Sequence, residues 1–209
     1  MSREKAIQDA IIALGQKLAA SQLVCARSGN LSCRLGENII LITATGSALG
    51  ELRRNDIVKV NVVTGKTAGT KRPSSELPLH QAIYCHCDCS VVIHCHPPLT
   101  NAYFAVNRKL PVLTFESRYY LGQVPVVAQK SLTVTRPGPV IAALARNKLA
   151  VLKNHGVVSI GRTCIDTLAP IQILEEAVKT VCVARLFRIK SLDGIDRAIQ
   201  KYLQASGIP

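Results

Sequence analysis

The stretch SVVIHCHPP, residues 90–98, constrains the fold most, because it contains a strand whose end is fixed. Residues 91–93 form an apolar run typical of a buried strand, and the two closing prolines cannot continue a ladder of backbone hydrogen bonds. Successive side chains of a strand alternate between its faces, so His94 and His96 point to one side while Cys95 points to the other. The sequence therefore predicts two imidazoles at a strand end, an arrangement that suits a metal ion.

A second apolar strand ends on a histidine in VLKNHGVV, residues 151–158. Gly156 allows a tight turn beside His155. A single turn histidine is an ordinary structural residue, but with His94 and His96 it makes three neutral imidazoles, the number that a catalytic zinc requires. We expect these histidines to hold a divalent ion, and imidazole alone does not separate zinc from manganese or cobalt.

A carboxylate at a predicted helix start, Glu76, is the candidate for acid–base chemistry. The apolar spacing predicts a helix that begins near Ser74 or Ser75, where unpaired N–H groups and the helix dipole favour anions. An acidic residue in a first turn also occurs simply as a complement to the dipole. The functional interpretation is that the serines hold a phosphate while the carboxylate acts beside the metal as general base or ligand. The polar turns SGN at 28–30 and TATG at 43–46 offer further donors for the same anion.

Short strands and helices alternate along the chain, and several strands are joined by tight turns. Hairpins are too frequent for a purely parallel sheet, so we expect one mixed or mainly antiparallel sheet covered by helices. No linker or repeat divides the sequence, which predicts one domain over residues 1–209. The predicted helices cover residues 4–19, a segment from 74 or 75 onward, 101–106, a segment after 137 and 163–190, before the closing segment LDGIDRAIQKYLQ. The predicted strands are 31–34, 39–43, one within 56–67, 91–96, LPVLT at 110–114, VPVVA at 124–128, and one on each side of His155.

The net charge of +13 comes from 26 Lys plus Arg against 13 Asp plus Glu, and it raises the question of a nucleic-acid partner. The basic residues are scattered in ones and twos, and aromatic residues make up only 4% of the chain, so there is little surface on which bases could stack. We therefore expect no nucleic-acid partner. The charge fits the steering of small anionic substrates, and it equally fits a solvated surface.

No apolar run reaches the roughly 18 residues of a membrane span, and the N-terminus is charged where a signal peptide is apolar. We expect a cytoplasmic protein without a membrane partner, in which the eight cysteines are reduced. The cluster YCHCDCS, residues 84–90, lacks the spacing of a zinc finger and predicts no separate metal site.

Five motifs, in this order and at these separations, resemble the class II aldolase and adducin family: SGNLS, ITATG, PSSE, HCHP and NHGVV. The resemblance covers about residues 5–190. It implies an α/β/α sandwich around a mainly antiparallel central sheet, usually assembled as a homotetramer with active sites between subunits. It also implies an aldolase with one Zn²⁺ per subunit, which cleaves L-fuculose 1-phosphate or a similar ketose 1-phosphate to dihydroxyacetone phosphate and an aldehyde.

The resemblance also implies roles for individual residues. The zinc ligands would be His94, His96 and His155, and Glu76 would be both a further ligand and the catalytic acid/base. The residue that serves the aldehyde end stays open, with Glu116, Tyr119 and Tyr120 as alternatives. The substrate phosphate would be held by Asn30, Thr45, Gly46, Ser74 and Ser75.

Three other members of the family are alternatives. A sugar-phosphate dehydratase keeps the zinc histidines but uses another acid, a role that Glu116 could fill. The 4-epimerases tend to carry aspartate in place of Glu76, and a catalytic aspartate where this chain has Arg118. An adducin-like binding module needs no metal ligands, so the three histidines argue against it.

Overall fold

The computed structural model describes residues 2–187 together with residues 197, 201, 204 and 205. Most of the predicted closing segment LDGIDRAIQKYLQ, and residues 188–190 of the last predicted helix, lie outside the described residues. The helices are α1 (Arg3–Ala20), α2 (Leu77–His86), α3 (Pro98–Val106), α4 (Phe115–Leu121), α5 (Gly138–Leu144) and α6 (Cys164–Leu186). The strands are β1 (Asn30–Arg34), β2 (Ile39–Thr43), β3 (Ile57–Asn61), β4 (Thr67–Ala68), β5 (Val91–Cys95), β6 (Val126–Ala128), β7 (Leu149–Lys153) and β8 (Gly156–Gly161).

The eight strands of the described part of the chain form one sheet in the order β4-β3-β2-β1-β5-β8-β7-β6. Six of the seven neighbouring pairs are antiparallel, and β6 with β7 is the parallel pair. Tight turns join β1 to β2 and β7 to β8, which is why these pairs are antiparallel. The prediction of a mainly antiparallel sheet is confirmed.

Helices cover both faces of the sheet, which confirms the α/β/α sandwich. On one face, α1 and α6 bury residues such as Leu14 and Leu174 in one hydrophobic cluster, and on the other face α2 and α5 bury residues such as Ile83 and Val140 in a second cluster. The central strand β5 is buried along its whole length and contributes to both clusters, because its side chains alternate between the faces. This alternation puts Cys95 in the α1/α6 cluster and leaves the opposite face to the neighbouring histidines.

Two predicted elements differ from the structure in position. The predicted helix start at Ser74 or Ser75 is wrong by two to three residues, because α2 begins at Leu77. Ser74 Oγ accepts a hydrogen bond from the N–H of Glu76 at 3.2 Å, and this local turn holds both serines ahead of the helix. In the other case, α3 begins at Pro98, three residues before the predicted start, because proline fits the first helical position.

The predicted strand LPVLT at 110–114 is wrong. This segment is irregular, and β6 occupies the sheet edge beside β7 instead. Pro111 lacks the N–H group that a ladder would require, and Leu110 and Leu113 pack against the α1/α6 cluster rather than lying in the sheet. The described helices include none that is long and apolar enough to cross a bilayer.

Candidate metal centre and anion pocket

Three histidines converge at the end of the central strand. His94 lies on β5, His96 follows it, and His155 lies in the turn between β7 and β8. Since β5 pairs with β8, this turn is brought beside the end of β5. His94 Nε2 lies 3.0 Å from His96 Nε2 and 3.2 Å from His155 Nε2. Two strand ends that are far apart in sequence therefore place three imidazole nitrogens at one point, as the sequence predicts.

The turn that carries His155 requires glycine at position 156. A Cβ atom there would lie 2.4 Å from the carbonyl oxygen of Cys95 and 2.5 Å from Cδ2 of His96. The first of these atoms belongs to the backbone and cannot move aside cheaply. The absence of a side chain at Gly156 is therefore what allows His155 to approach the other two histidines.

The protonation state of the triad suits metal binding. His94 Nδ1 lies 3.1 Å from the carbonyl oxygen of Val157, which only accepts hydrogen bonds, so Nδ1 donates and Nε2 keeps its lone pair. Burial lowers the pKa of His94 well below its usual range, and the neighbouring histidines lower it further. Burial also lowers the pKa of His96, to about 4, and that of His155. Neutral imidazole is the form that binds a metal ion.

The spacing of the nitrogens fits a single ion. Two ligands about 2.0–2.1 Å from a tetrahedral zinc ion lie roughly 3.3 Å apart, close to the two observed Nε2–Nε2 distances. The ligand atoms of His94, His96 and His155 all lie within 4.8 Å of one another. Among the residues that the structure describes, this is the one such group of three or more potential ligands. The residues present therefore fit a borderline divalent ion, of which zinc is one.

Glu76 lies beside the triad. Its Oε1 is 3.9 Å from His155 Nε2, and the backbone N–H of Val134 donates to both carboxylate oxygens at 3.2–3.3 Å. The side chain is almost fully buried, and this burial raises the pKa of Glu76, although the bond from Val134 opposes the change. A buried carboxyl group beside a candidate metal site is a candidate for acid–base chemistry.

The residues predicted to hold phosphate line the same cavity as the triad. This cavity has a volume of about 190 Å³, and Glu76 is among its lining residues. Its lining includes all five predicted anion contacts, namely Asn30, Thr45, Gly46, Ser74 and Ser75. The structure thus brings together side chains from β1, the turn after β2, the approach to α2, the end of β5 and the β7–β8 turn.

Backbone pairing explains how the polar turns meet. Thr45 N–H donates to Arg72 O at 3.0 Å and Ser74 N–H donates to Thr43 O at 3.0 Å, so the segment before α2 runs alongside the end of β2. On the other side, Asn30 is the register partner of His94. The hydroxyls, the amide and the metal triad are consequently fixed by the sheet rather than by a loop alone.

Some predicted residues lie elsewhere within the chain. Tyr119 and Tyr120 are more than half exposed and line a different cavity of about 890 Å³ between α4 and α6. Glu116 is exposed on α4 and does not line the triad cavity. The described cysteines are all free thiols, and Cys85–Cys89 form no metal group.

Sequence reasoning missed two parts of the cavity. The loop after β6 contributes Leu132 and Thr133 to the lining and the N–H of Val134 to Glu76. This loop has no motif, and it reaches the site only through the fold. Arg27 also lines the cavity and is the one cationic side chain among the lining residues, and its position next to the SGN turn was the available signal.

Comparisons with known proteins agree with one another. Residues 9–182 match the model of the class II aldolase and adducin N-terminal domain. An L-fuculose phosphate aldolase of Methanocaldococcus jannaschii is 33% identical over 176 residues, which cover 80% of this chain and 91% of that protein. A 3-oxo-tetronate 4-phosphate decarboxylase of Haemophilus influenzae is 30% identical over 82% of this chain and 85% of its own length. The crystal structure of an L-fuculose-1-phosphate aldolase from Thermus thermophilus superimposes with a TM-score of 0.78 at 25% identity, covering 91% of this chain and 98% of that one.

Proposed function

The chain belongs to the class II aldolase and adducin family, and from that premise we propose that it is a zinc-dependent aldolase. Its reaction would be the reversible cleavage of L-fuculose 1-phosphate, or a similar ketose 1-phosphate, to dihydroxyacetone phosphate and an aldehyde. The observation that carries this proposal is the convergence of three neutral imidazoles, a buried carboxyl and an anion pocket in one cavity. A binding module of the adducin type would need none of these groups.

In this proposal His94, His96 and His155 hold the ion, with Glu76 as a further ligand before substrate binds. When bound, the ion would supply a Lewis acid that stabilises negative charge on the substrate oxygens. In the cleavage direction the C4 hydroxyl gives up its proton to the group that serves the aldehyde end as the C4 carbonyl forms, and C3 gains a proton, which Glu76 delivers.

The anion pocket would hold the phosphate of the substrate. Serine and threonine hydroxyls, N–H groups and the Asn30 amide are donors, and they line the cavity on the side of β1, β2 and the approach to α2. Binding energy from this remote group then fixes the reacting carbons next to Glu76, which lowers the barrier by orientation.

A decarboxylase is the second candidate, and two observations favour it. Relatives about 30% identical include 3-oxo-tetronate 4-phosphate decarboxylases, and the cationic Arg27 lines the cavity, where it could pair with a carboxylate. Loss of carbon dioxide from a 3-oxo acid and cleavage of an aldol both leave negative charge next to a carbonyl group, so the same residues could serve either reaction. The dehydratase alternative with Glu116 as the acid draws no support from within the chain, because Glu116 lies outside the cavity.

The reaction is tested by supplying zinc-loaded protein with a panel of ketose 1-phosphates and with 3-oxo-tetronate 4-phosphate. We expect release of dihydroxyacetone phosphate together with an aldehyde from a ketose 1-phosphate, which a chelator abolishes and added zinc restores. Release of carbon dioxide from the 3-oxo acid without any aldol cleavage would show that the decarboxylase, and not the aldolase, is the correct function. Absence of both reactions with zinc present would contradict the proposal.

The role of Glu76 is tested by the variant Glu76→Gln. Because the amide cannot transfer the proton, we expect turnover to fall by about 10²–10⁴-fold, as is usual for loss of an acid/base group, while the melting temperature stays near that of the wild type. Initial rates at saturating substrate and a thermal melt measure the two effects. Turnover like that of the wild type would remove Glu76 from the chemistry.

We further propose, from the resemblance, that the single domain of residues 1–209 assembles as a cytoplasmic homotetramer with active sites between subunits. The position of Glu116, Tyr119 and Tyr120 supports an intersubunit site, since α4 lies away from the cavity of its own chain. In such an assembly, the group that serves the aldehyde end of the substrate would come from α4 of a neighbouring chain.

A further inference from the structure

A chain of buried polar side chains runs behind the anion pocket, and apart from Asn30 its members have no role in the chemistry described above. At its centre is His80, which lies on α2 one turn after Glu76 and is completely buried. His80 Nε2 lies 2.6 Å from Asn30 Oδ1, and His80 Nδ1 lies 2.6 Å from Ser32 Oγ. Ser32 Oγ in turn lies 3.0 Å from the hydroxyl oxygen of Tyr84.

The chemistry of these atoms fixes the place of each proton. Burial lowers the pKa of His80 to about 3, so its ring is neutral and has one donor and one acceptor nitrogen. The amide oxygen of Asn30 only accepts hydrogen bonds, so Nε2 must donate and Nδ1 must accept. Ser32 has one hydroxyl proton, which goes to Nδ1, the shorter of its two contacts at 2.6 Å. The Tyr84 hydroxyl donates to the carbonyl oxygen of Ser90 at 3.5 Å.

This proton order decides what Asn30 presents to the cavity. Its oxygen is turned inward to His80, so the amide nitrogen with its two N–H donors is left for the cavity that Asn30 lines. Within the described part of the chain, that nitrogen has no hydrogen-bond partner. The reverse orientation would present a carbonyl oxygen, which repels an anion.

We propose that His80 is a positioning residue for phosphate binding: it holds the Asn30 amide with its N–H donors facing the substrate phosphate. This inference rests on the proposed function, because it takes Asn30 as a phosphate contact. His80 itself is not among the residues that line the cavity. Its effect passes through one hydrogen bond, that between Nε2–H and Oδ1.

Two substitutions separate this bond from the other contact of His80. The terminal amide of the variant His80→Gln can occupy the place of Nε2 and donate to Asn30. The shorter amide of His80→Asn reaches only the place of Nδ1, beside Ser32. If His80 had only a structural role, both variants would lose phosphate affinity to the same extent. In the proposed role, only His80→Asn loses it.

The measured quantity is the dissociation constant of inorganic phosphate for the zinc-loaded protein, together with kcat and KM for the cleaved substrate. We expect His80→Asn to weaken phosphate binding and to raise KM by about tenfold, the usual effect of losing one hydrogen bond to a charged group, with a smaller change in kcat. His80→Gln should stay within about threefold of the wild type. Tyr84→Phe, which removes a buried hydroxyl from the same chain but not the bond to Asn30, is the matched control and should bind phosphate like the wild type.

Equal losses of phosphate affinity in the Gln and Asn variants would overturn the inference. Unchanged affinity in His80→Asn would overturn it as well, while leaving the proposed function intact. If Asn30→Ala also binds phosphate like the wild type, Asn30 is not a phosphate contact. The proposed role of His80, which acts through Asn30, would then be wrong as well.

A measurement on the wild-type protein keeps the inference testable even if His80→Asn does not fold. Nitrogen-15 spectra of labelled histidine report the tautomer directly, and the signal that disappears in His80→Gln identifies His80. We expect a proton on Nε2, a bare Nδ1 and no titration between pH 5 and 8. A proton on Nδ1 would mean that Asn30 turns its oxygen to the cavity, and the inference would be wrong.

Discussion

The protonation state and orientation of individual side chains in this protein depend on burial and on one or two hydrogen-bond partners. The carbonyl of Val157 sets the tautomer of His94, and the N–H of Val134 holds the carboxylate of Glu76. The sequence predicted the histidines, because alternation along a strand and two closing prolines define where they point. It did not predict Val134 or the bond between His80 and Asn30, because both depend on contacts between residues about 50 or more positions apart.

The proposed metal ligands are tested by His94→Ala. His94 Nε2 is within 3.2 Å of both other Nε2 atoms. Loss of the His94 side chain should therefore abolish metal binding rather than only lower the affinity. We expect elemental analysis to give well under half of the wild-type zinc per chain. His86→Ala is the control, because His86 is exposed at the end of α2 and should leave zinc content unchanged. Equal zinc in the two variants would contradict the triad.

His80 makes stability depend on pH in a direction that can be worked out. Its pKa falls from about 6.5 in the unfolded chain to about 3 in the fold, so the unfolded state binds more protons between these values. Its contribution to stability is complete above pH 6.5 and is lost as the pH falls towards 3, by at most about 1.4 kcal/mol per pH unit. The difference in free energy of unfolding between the wild type and His80→Gln, measured by urea unfolding, should therefore become smaller from pH 7 to pH 4.5. A difference that is constant with pH would show that His80 titrates normally.

Secondary-structure elements were predictable wherever a local pattern determined them. The β1–β2 and β7–β8 hairpins and the strand β5 follow from short apolar runs and turns, and these predictions are confirmed. The segment LPVLT has the apolar composition of a strand, yet Leu110 and Leu113 find their partners in the α1/α6 cluster instead. Composition alone did not distinguish a strand from a packed irregular segment.

The turn between β7 and β8 is the element on which the site depends most. In Gly156→Ala the new Cβ would meet the Cys95 backbone, so β5 and the turn must separate. We expect a loss of about 1–3 kcal/mol of stability, the usual cost of overpacking, together with a lower zinc content. Denaturant unfolding and elemental analysis measure both. Gly138→Ala is the matched control, because nothing lies within 4 Å of a Cβ at that position, and equal behaviour of the two variants would contradict the argument.

At the scale of the whole molecule, the sandwich buries its two clusters well but leaves α4 with an unusual surface. Phe115, Tyr119 and Tyr120 are 48%, 58% and 57% exposed within one short helix. Grouped aromatic surface of this kind is typical of an interface between proteins. The surface agrees with the oligomer that the resemblance implies, although the sequence alone did not indicate which face would be used.

Light scattering tests this assembly. We expect the wild-type protein to have a mass near four times its chain mass of 22.5 kDa. The double variant Tyr119→Asp with Tyr120→Asp should dissociate and lose activity, because charges at a buried interface are costly and the sites would be separated. Lys130→Asp, an exposed change of charge outside α4, is the control and should stay assembled. A monomeric and fully active wild type would contradict the intersubunit site.

The strand order has a consequence for how the protein is made. The central strand β5 pairs on one side with β1, which precedes it, but on the other side with β8, which is translated some sixty residues later. Until β8 leaves the ribosome, β5 therefore has an unpaired apolar edge, which is a hazard for aggregation in a nascent chain. The proposed metal site cannot be complete earlier either, because His155 is translated with the same segment. The histidine triad and the completed sheet should therefore form in a single late step of folding.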